Sequence, residues 1–384
     1  MFSTKTQIQD YTVSLSVSHK NLLLELATGL GKTLSAIRII EKVGGKWIIV
    51  IAETNHELNW IDEFKKHNKE HLLENVKFSC YQSLHKVIGN YNYCYDECHH
   101  LMSDKRLSYL HDISAWQLNK HNIFLSATMT WKQKNNIKNI LPDLFEFKVS
   151  ISKAIELGLL PKPSVYLIPV ELDNIKKNLT FHFSKTKSVA CTQEGYYKFI
   201  TNKVNYYKQR FFELGEERYK LAWLKAGNDR KKFLSECKTS AAIELLQKLI
   251  NKRTICFAGS IKQAEEVSYG VLKDIGTYSV VHSKKSKKIR ETLIKDFNEE
   301  KIHHLYAVGM LKEGMNLNNI ETGVILQLDN VERYFSQCHG RVLRSITPEQ
   351  YILFVENSQD EVYLNTALEG FNMDYVATIN LDEL

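Results

Sequence analysis

A chain of 384 residues is too long for one ordinary hydrophobic core, so two lobes and a modest extra element are the starting expectation. Hydrophobic residues make up 43% and charged residues 25%, the balance of a globular chain, and no apolar run reaches the roughly 18 to 20 residues that a bilayer crossing requires. Lysine plus arginine number 51 against 44 aspartates and glutamates, a formal charge of +7 that suits a polyanionic partner without requiring one. The first residues show no apolar stretch behind a basic start, so no secretory signal is expected and the chain reads as cytoplasmic. Seven cysteines at 80, 94, 98, 191, 237, 256 and 338, with no CxxC pair, indicate neither a disulfide framework nor a zinc ribbon; they read as small core residues.

From residue 21 one unit repeats: a short apolar run, a turn, then an amphipathic stretch. Apolar runs at 21–26, 46–52, 76–81, 91–95 and 122–125 alternate with helical patterns such as 33–43 and 55–67. Strands that are apolar on both faces and separated by helices predict a parallel sheet of βαβ units, here a first lobe over 1–150. The stretch 151–250 reads as a connector, with a strand over 164–172, followed by a helical insertion rich in lysine, arginine, tyrosine and phenylalanine. Tyr196, Tyr197, Tyr206, Tyr207, Phe211, Phe212 and Tyr219 alternate there with Lys198, Lys203, Lys208, Arg210 and Lys220. Such a surface could stack bases and hold phosphates, or receive a protein partner, but a helical hairpin burying its rings against the second lobe is the favoured reading. The βα grammar returns over 251–384, with strands at 253–258, 278–282, 303–308, 322–328 and 350–355 and helical patterns at 261–272, 286–299 and 331–344.

The strongest local signal is the run from Leu26 to Thr33, Leu-Ala-Thr-Gly-Leu-Gly-Lys-Thr, which follows an apolar strand and opens a helix. Thr28, Gly29, Leu30 and Gly31 form a loop whose glycines let successive N–H groups curl toward one anion, and the helix N-terminus adds positive partial charge. Lys32 is then expected to reach the β- and γ-phosphates of ATP, and the Thr33 hydroxyl to ligate Mg²⁺. Leu26 stands where the usual loop has its first glycine, and the strand–loop–helix context carries the assignment. The bland alternative is a glycine turn that merely starts a helix.

The strand over 91–95 ends in Asp96-Glu97-Cys98-His99, at the carboxyl end of a strand, where ligands of open parallel sheets bind. Asp96 is expected to hold the Mg²⁺ shell and Glu97 to orient the attacking water. Cys94, Cys98, His99 and His100 could instead suggest a metal site, a minor reading because zinc ligands come as pairs from separated segments. The strand over 122–125 ends in Ser126-Ala127-Thr128, whose hydroxyls could hydrogen-bond the acidic pair and report its state to the neighbouring lobe.

In the second lobe Gln337, Arg341 and Arg344 share one face of a helical pattern, so that guanidinium groups could meet a γ-phosphate. Upstream, Gly314 permits close backbone approach and Asn316 can bond a ribose or phosphate.

Taken in order, GLGKT, DECH, SAT, EGMNL and QCHGRVLR resemble motifs I, II, III, V and VI of superfamily 2 helicases, and the likeness spans nearly the whole chain except about 175–250. The resemblance implies two RecA-like parallel-sheet lobes in tandem with a helical insertion between them, ATP and Mg²⁺ as cofactors, and nucleic acid as partner. The finer text is similar to phage branch-migration helicases and to the motor subunits of type I and III restriction enzymes, which points to DNA rather than RNA, and to a monomer in a host cytoplasm. The segment 54–60, with Thr54 and Trp60, resembles motif Ia, and Tyr81-Gln82-Ser83 resembles the strand-touching segment before the DExH box. Residues 154–161 resemble the inter-lobe connector, and 256–260, ending in Ser260, resemble motif IV. The family also implies an adenine-reading glutamine upstream of the phosphate loop, Gln9 or else Gln7, although the usual Arg-x-Tyr-Gln text is absent. His99 matches the fourth letter of the box. An RNA-directed helicase and an ATP-gated clamp that does not travel remain open as alternatives.

Overall fold

The computed structural model describes residues 2–116, 120–182, 188–272, 279–309, 317, 319–329, 347–369 and 371–384. The chain divides into two bodies, one running to Pro161 and one beginning at Lys162.

The first body opens with helix α1 (Lys5–Ser18), whose N-cap Thr4 accepts a hydrogen bond from the Gln7 amide at 3.2 Å. Strand β1 (Asn21–Leu26) follows, then α2 (Lys32–Val43), β2 (Trp47–Ile51), α3 (Asn55–Lys66), β3 (Val76–Cys80), β4 (Asn92–Tyr95), α4 (Asp104–Trp116), β5 (Asn122–Ser126), α5 (Trp131–Lys138), β6 (Phe145–Val149) and α6 (Ile151–Glu156). The six strands form one sheet in the order β3-β2-β4-β5-β1-β6, and every neighbouring pair is parallel. Strands β1, β2, β4 and β5 are buried along their whole length, as unbroken apolar runs covered on both faces must be. The core gathers Leu23, Ile48, Tyr93, Tyr95 and Phe124 under helix α4, whose Leu110 and Ile113 are buried.

Strand β6 is the element the apolar pattern does not reveal, because Glu146 and Lys148 interrupt it. Those charges have partners: Lys134 of α5 lies 2.5 Å from Glu25 and 3.0 Å from Glu146, and Lys148 lies 2.9 Å from Glu25. Glu25 sits almost fully buried in β1, so the two lysines compensate a carboxylate that would otherwise be costly to desolvate.

The second body contains β7 (Ser164–Val170), an antiparallel pair β8 (Leu179–His182) and β9 (Ser188–Cys191), and helices α7 (Gln193–Leu214), α8 (Glu217–Cys237) and α9 (Thr239–Lys248). After these come β10 (Thr254–Phe257), α10 (Ile261–Val271), β11 (Val280–Val281), α11 (Lys287–Asn298), β12 (His304–Ala307), β13 (Thr322–Ile325), β14 (Glu349–Val355), the helix Gln359–Leu368 and β15 (Val376–Thr378). Its seven-stranded sheet runs β11-β12-β10-β13-β14-β7-β15, again with parallel pairs. The strand expected within the connector is thus an interior strand of the second sheet, paired residue for residue with β14 from Ser164–Glu349 to Val170–Val355.

Helices α7 and α8 form a hairpin whose small core joins Ile200, Val204, Ala226 and Phe233, with Tyr196, Tyr197, Tyr207 and Trp223 packed around it. It is tied to the rest of the second body at the start of the helix Gln359–Leu368. There the Gln359 amide donates to the Tyr197 hydroxyl at 2.9 Å, and Arg230 donates to the Gln359 side chain at 2.8 Å. Lys238 and Asp360 form a buried ion pair of 2.6 Å. Packing therefore accounts for these tyrosines, whereas Tyr206 and Phe212 stay 51% and 70% exposed at the far end. Among the described residues no helix is long and apolar enough to cross a membrane.

Candidate nucleotide site

In the first sheet β4, β5 and β1 are consecutive neighbours, and all three point the same way. The glycine loop leaves the end of β1, Ser126 closes β5, and Asp96-Glu97 follow β4, so the three sequence signals emerge side by side at the carboxyl edge of one sheet. Strands lie about 4.8 Å apart, so a ligand of nucleotide size can meet all three loops.

Gly29 and Gly31 adopt φ of +93° and +82°, left-handed values that other residues take only with strain, and they curl the chain into the start of α2. A Cβ on Gly31 would stand 2.6 Å from Gln9 Nε2, and one on Gly29 would stand 3.1 Å from Leu160 Cδ2. Gln9 is therefore the glutamine that borders the loop, whereas Gln7 Oε1 accepts from the Ser3 amide at 2.7 Å in capping α1. Leu30 is buried, and its amide donates to the Ala27 carbonyl at 3.2 Å, closing the turn. Thr28, Lys32 and Thr33 are half-buried, and Lys32 Nζ donates to the Leu26 carbonyl at 3.2 Å. The donor set fits a triphosphate with a divalent cation: a glycine cradle without room for a side chain at Gly31, a helix N-terminus, an ammonium, a hydroxyl and two carboxylates.

Glu97 occupies the left-handed region at φ 49° and ψ 56°, a strained conformation for a residue with a side chain. His99 Nδ1 lies 3.4 Å from Glu97 Oε2, with the imidazole buried. Cys94 and Cys98 are fully buried; burial first, then the Asp96 carboxylate for Cys94 and the Glu97 carboxylate for Cys98, push both thiols well above their ordinary range, as for small core residues. The Cys98 thiol instead lies 3.7 Å from the Met129 sulfur, a contact between the acidic turn and the turn after β5.

Several expected roles are corrected by burial. Trp60 and Tyr81, anticipated as nucleic-acid contacts, are 2% and 1% exposed. Trp60 Nε1 donates to Asp96 Oδ2 at 2.9 Å, and the Tyr81 hydroxyl donates to the Asp96 carbonyl at 2.7 Å. Both rings are core residues that hold the acidic turn. Ser260, assigned to the nucleic acid as well, caps α10 by accepting from the Gln263 amide and donates to Glu236, both at 3.2 Å. The Ser126 hydroxyl donates to the Thr128 carbonyl at 2.9 Å, so its single proton does not go to Asp96 or Glu97. Thr128 Oγ1 is buried without a hydrogen-bond partner, and Ala127 beside it is half-buried. Thr54 and Gln82 are exposed, and Thr54 and Ser83 line one cavity of about 270 Å³ with Glu57, Phe78, Cys80 and Lys86. The sequence pattern does not mark Leu160, Met129 or Lys86 for the site; each arrives through folding of segments distant in the chain.

Comparison with known proteins bears on the same architecture. Residues 237–345 match the helicase conserved C-terminal domain. Dbp5 from S. cerevisiae, solved bound to RNA and ADP BeF3, is similar with a TM-score of 0.64 at 13% identity, over 98% of this chain and 90% of that one. The helicase domain of Hef from Pyrococcus furiosus gives a TM-score of 0.56 at 13% identity, over 93% of this chain and 96% of that one. This chain has the tandem RecA-like helicase fold. No curated protein sequence matches it. The helicase-domain match includes the segments in which Gly314, Asn316, Gln337, Arg341 and Arg344 fall, and those five residues lie outside the described ones.

Proposed function

We propose that this chain is an ATP-driven nucleic-acid motor of helicase superfamily 2, acting as a monomer on DNA by unwinding, branch migration or remodelling. The carrying observation is the convergence of glycine loop, acidic pair and Ser-Ala-Thr turn on three adjacent parallel strands. In this reading Thr28 to Gly31 cradle the phosphates through backbone N–H groups, Lys32 neutralises the β- and γ-phosphates, and Gln9 reads the adenine. Thr33 and Asp96 would hold Mg²⁺, which when bound offsets phosphate charge and orients the leaving group. Glu97, aimed by its strained backbone and backed by His99, orients the attacking water. Arg341 and Arg344 of the second lobe, with Gln337, stabilise the charge on the transferring phosphoryl group, while Gly314 and Asn316 complete the nucleotide contacts. Ser126, Ala127 and Thr128 carry the state of the acidic pair to the second lobe through the adjoining contact of Cys98 with Met129 rather than through the Ser126 hydroxyl.

The cavity shared by Thr54 and Ser83, with Lys86 at its wall and Gln82 exposed beside it, is the strand-binding groove of the first lobe. Contacts of this kind go to phosphates, so binding is sequence-tolerant and weakens with salt. The outer end of the α7–α8 hairpin, with Phe212 exposed, is where a protein partner would dock.

An RNA helicase is the second reading, favoured by the likeness to Dbp5, which was solved bound to RNA. ATPase measured with single-stranded, duplex and forked DNA and with RNA decides between the two. Strand displacement, assayed in parallel, separates a travelling motor from an ATP-gated clamp. Lys32→Ala is the control: turnover falls by about 10² to 10³ with the fold retained, and wild-type turnover in that variant refutes the proposal.

A further inference from the structure

The groove and Asp96 share their walls. Beside β3, three segments of the first body line the groove: the end of β2 through Ile51, the N-cap and first turn of α3 through Thr54 and Glu57, and the turn Tyr81–Val87 through Ser83 and Lys86. Each also places one hydrogen bond on Asp96. The Val50 carbonyl accepts from the Asp96 amide at 2.8 Å, Trp60 of α3 donates to Oδ2 at 2.9 Å, and Tyr81 donates to the Asp96 carbonyl at 2.7 Å.

We infer that Trp60 and Tyr81 are positioning residues that link occupancy of the groove to the placement of the Asp96 carboxylate, and so make divalent-cation binding respond to nucleic acid. The inference rests on the reading of the groove and the acidic pair proposed above. Trp60 lies somewhat under two helical turns along α3 from Thr54, so a strand that presses on the exposed Thr54 at the head of this short helix shifts the buried indole with it. An indole N–H is a directional donor on a stiff ring, and the partner of a liganding carboxylate sets the orientation in which it meets a cation. Tyr81 adds a second point of control, since its ring begins the turn that carries Ser83 and its hydroxyl fixes the Asp96 backbone. Loss of an outer partner of a liganding group commonly weakens metal binding by 10- to 100-fold.

The test uses the full chain with Trp60→Phe, which keeps a ring and removes the donor, and Tyr81→Phe, which removes only the hydroxyl. Mn²⁺ affinity in the presence of ATPγS is read by electron paramagnetic resonance, with and without a single-stranded DNA oligonucleotide. ATPγS affinity in the absence of metal and oligonucleotide affinity by fluorescence anisotropy are measured alongside. The expected result for Trp60→Phe is Mn²⁺ binding weaker by about tenfold, with ATPγS and oligonucleotide affinities within about twofold of wild type. In the wild type the oligonucleotide tightens Mn²⁺ binding, and in both variants that tightening is lost. Unchanged Mn²⁺ affinity in both variants, or equal tightening in variants and wild type, overturns the linkage. Should Trp60→Phe fail to fold, Tyr81→Phe decides through the same tightening. Failure of the motor reading shows separately, as wild-type ATPase that Lys32→Ala does not diminish.

Discussion

At the scale of single residues, glycines and buried polar groups decide what the nucleotide site can be. Gly31 combines a left-handed φ of +82° with a neighbour 2.6 Å from where a Cβ would stand. Gly31→Ala therefore both strains the backbone, by on the order of 1 kcal/mol, and displaces the Gln9 amide. The expected outcome is ATP binding weakened at least tenfold with a modest fall in Tm, read by titration of a fluorescent ATP analogue. Adding Gln9→Ala removes the clash but not the strain, so it should recover stability rather than affinity. The glycine loop was legible in the sequence because a φ above zero has a residue-type signature. The inward turn of Trp60 and Tyr81 was not, because an aromatic residue beside a nucleic-acid motif looks alike whether it faces solvent or core.

At the scale of elements, strands and helices with a regular apolar pattern were legible, and those without one were not. Strand β1 spans the same residues as its apolar run, and β2 to β5 agree within one or two positions, since an unbroken buried run is a local property. Helix α1 escaped notice because its buried face includes Gln9, Thr12 and Ser16. Both hydroxyls return to the helix itself: Thr12 donates to the Gln9 carbonyl at 2.8 Å and Ser16 to that of Val13 at 2.7 Å, which makes a polar face tolerable inside. The junction of α8 and α9 with the helix Gln359–Leu368 depends on Lys238 and Asp360, both buried. Lys238→Met should destabilise the second body by about 3 to 5 kcal/mol in denaturant unfolding, because it strands a buried carboxylate. Lys238→Met combined with Asp360→Leu should cost less, although the Val355 amide, which donates to Asp360 at 3.1 Å, then loses its acceptor.

For the whole molecule, the proposal assigns the chemistry to groups from both lobes. The first lobe carries the lysine and carboxylates, and the matched helicase C-terminal domain carries the arginines. Arg341→Ala should leave nucleotide affinity near normal while turnover falls by at least about 10³, checked by equilibrium binding beside steady-state ATPase. Turnover unchanged by this substitution removes Arg341 from the site. Expecting tandem RecA-like lobes from the ordered motifs succeeded because the glycine loop, the acidic pair and Ser-Ala-Thr each sit at a strand end, and strand ends are visible as the close of an apolar run.

The sequence by itself determined that parallel sheets form, where the glycine loop curls, and that Asp96, Glu97 and Ser126 close their strands. Those outcomes depend on residue-type preferences acting over a few positions. Only the tertiary structure decided that β1, β5 and β4 lie side by side, that β7 completes the second sheet, and that Trp60 and Tyr81 grip Asp96 from behind. Such pairings join residues separated by tens to hundreds of positions, and burial against the available partner, not local propensity, chooses among them.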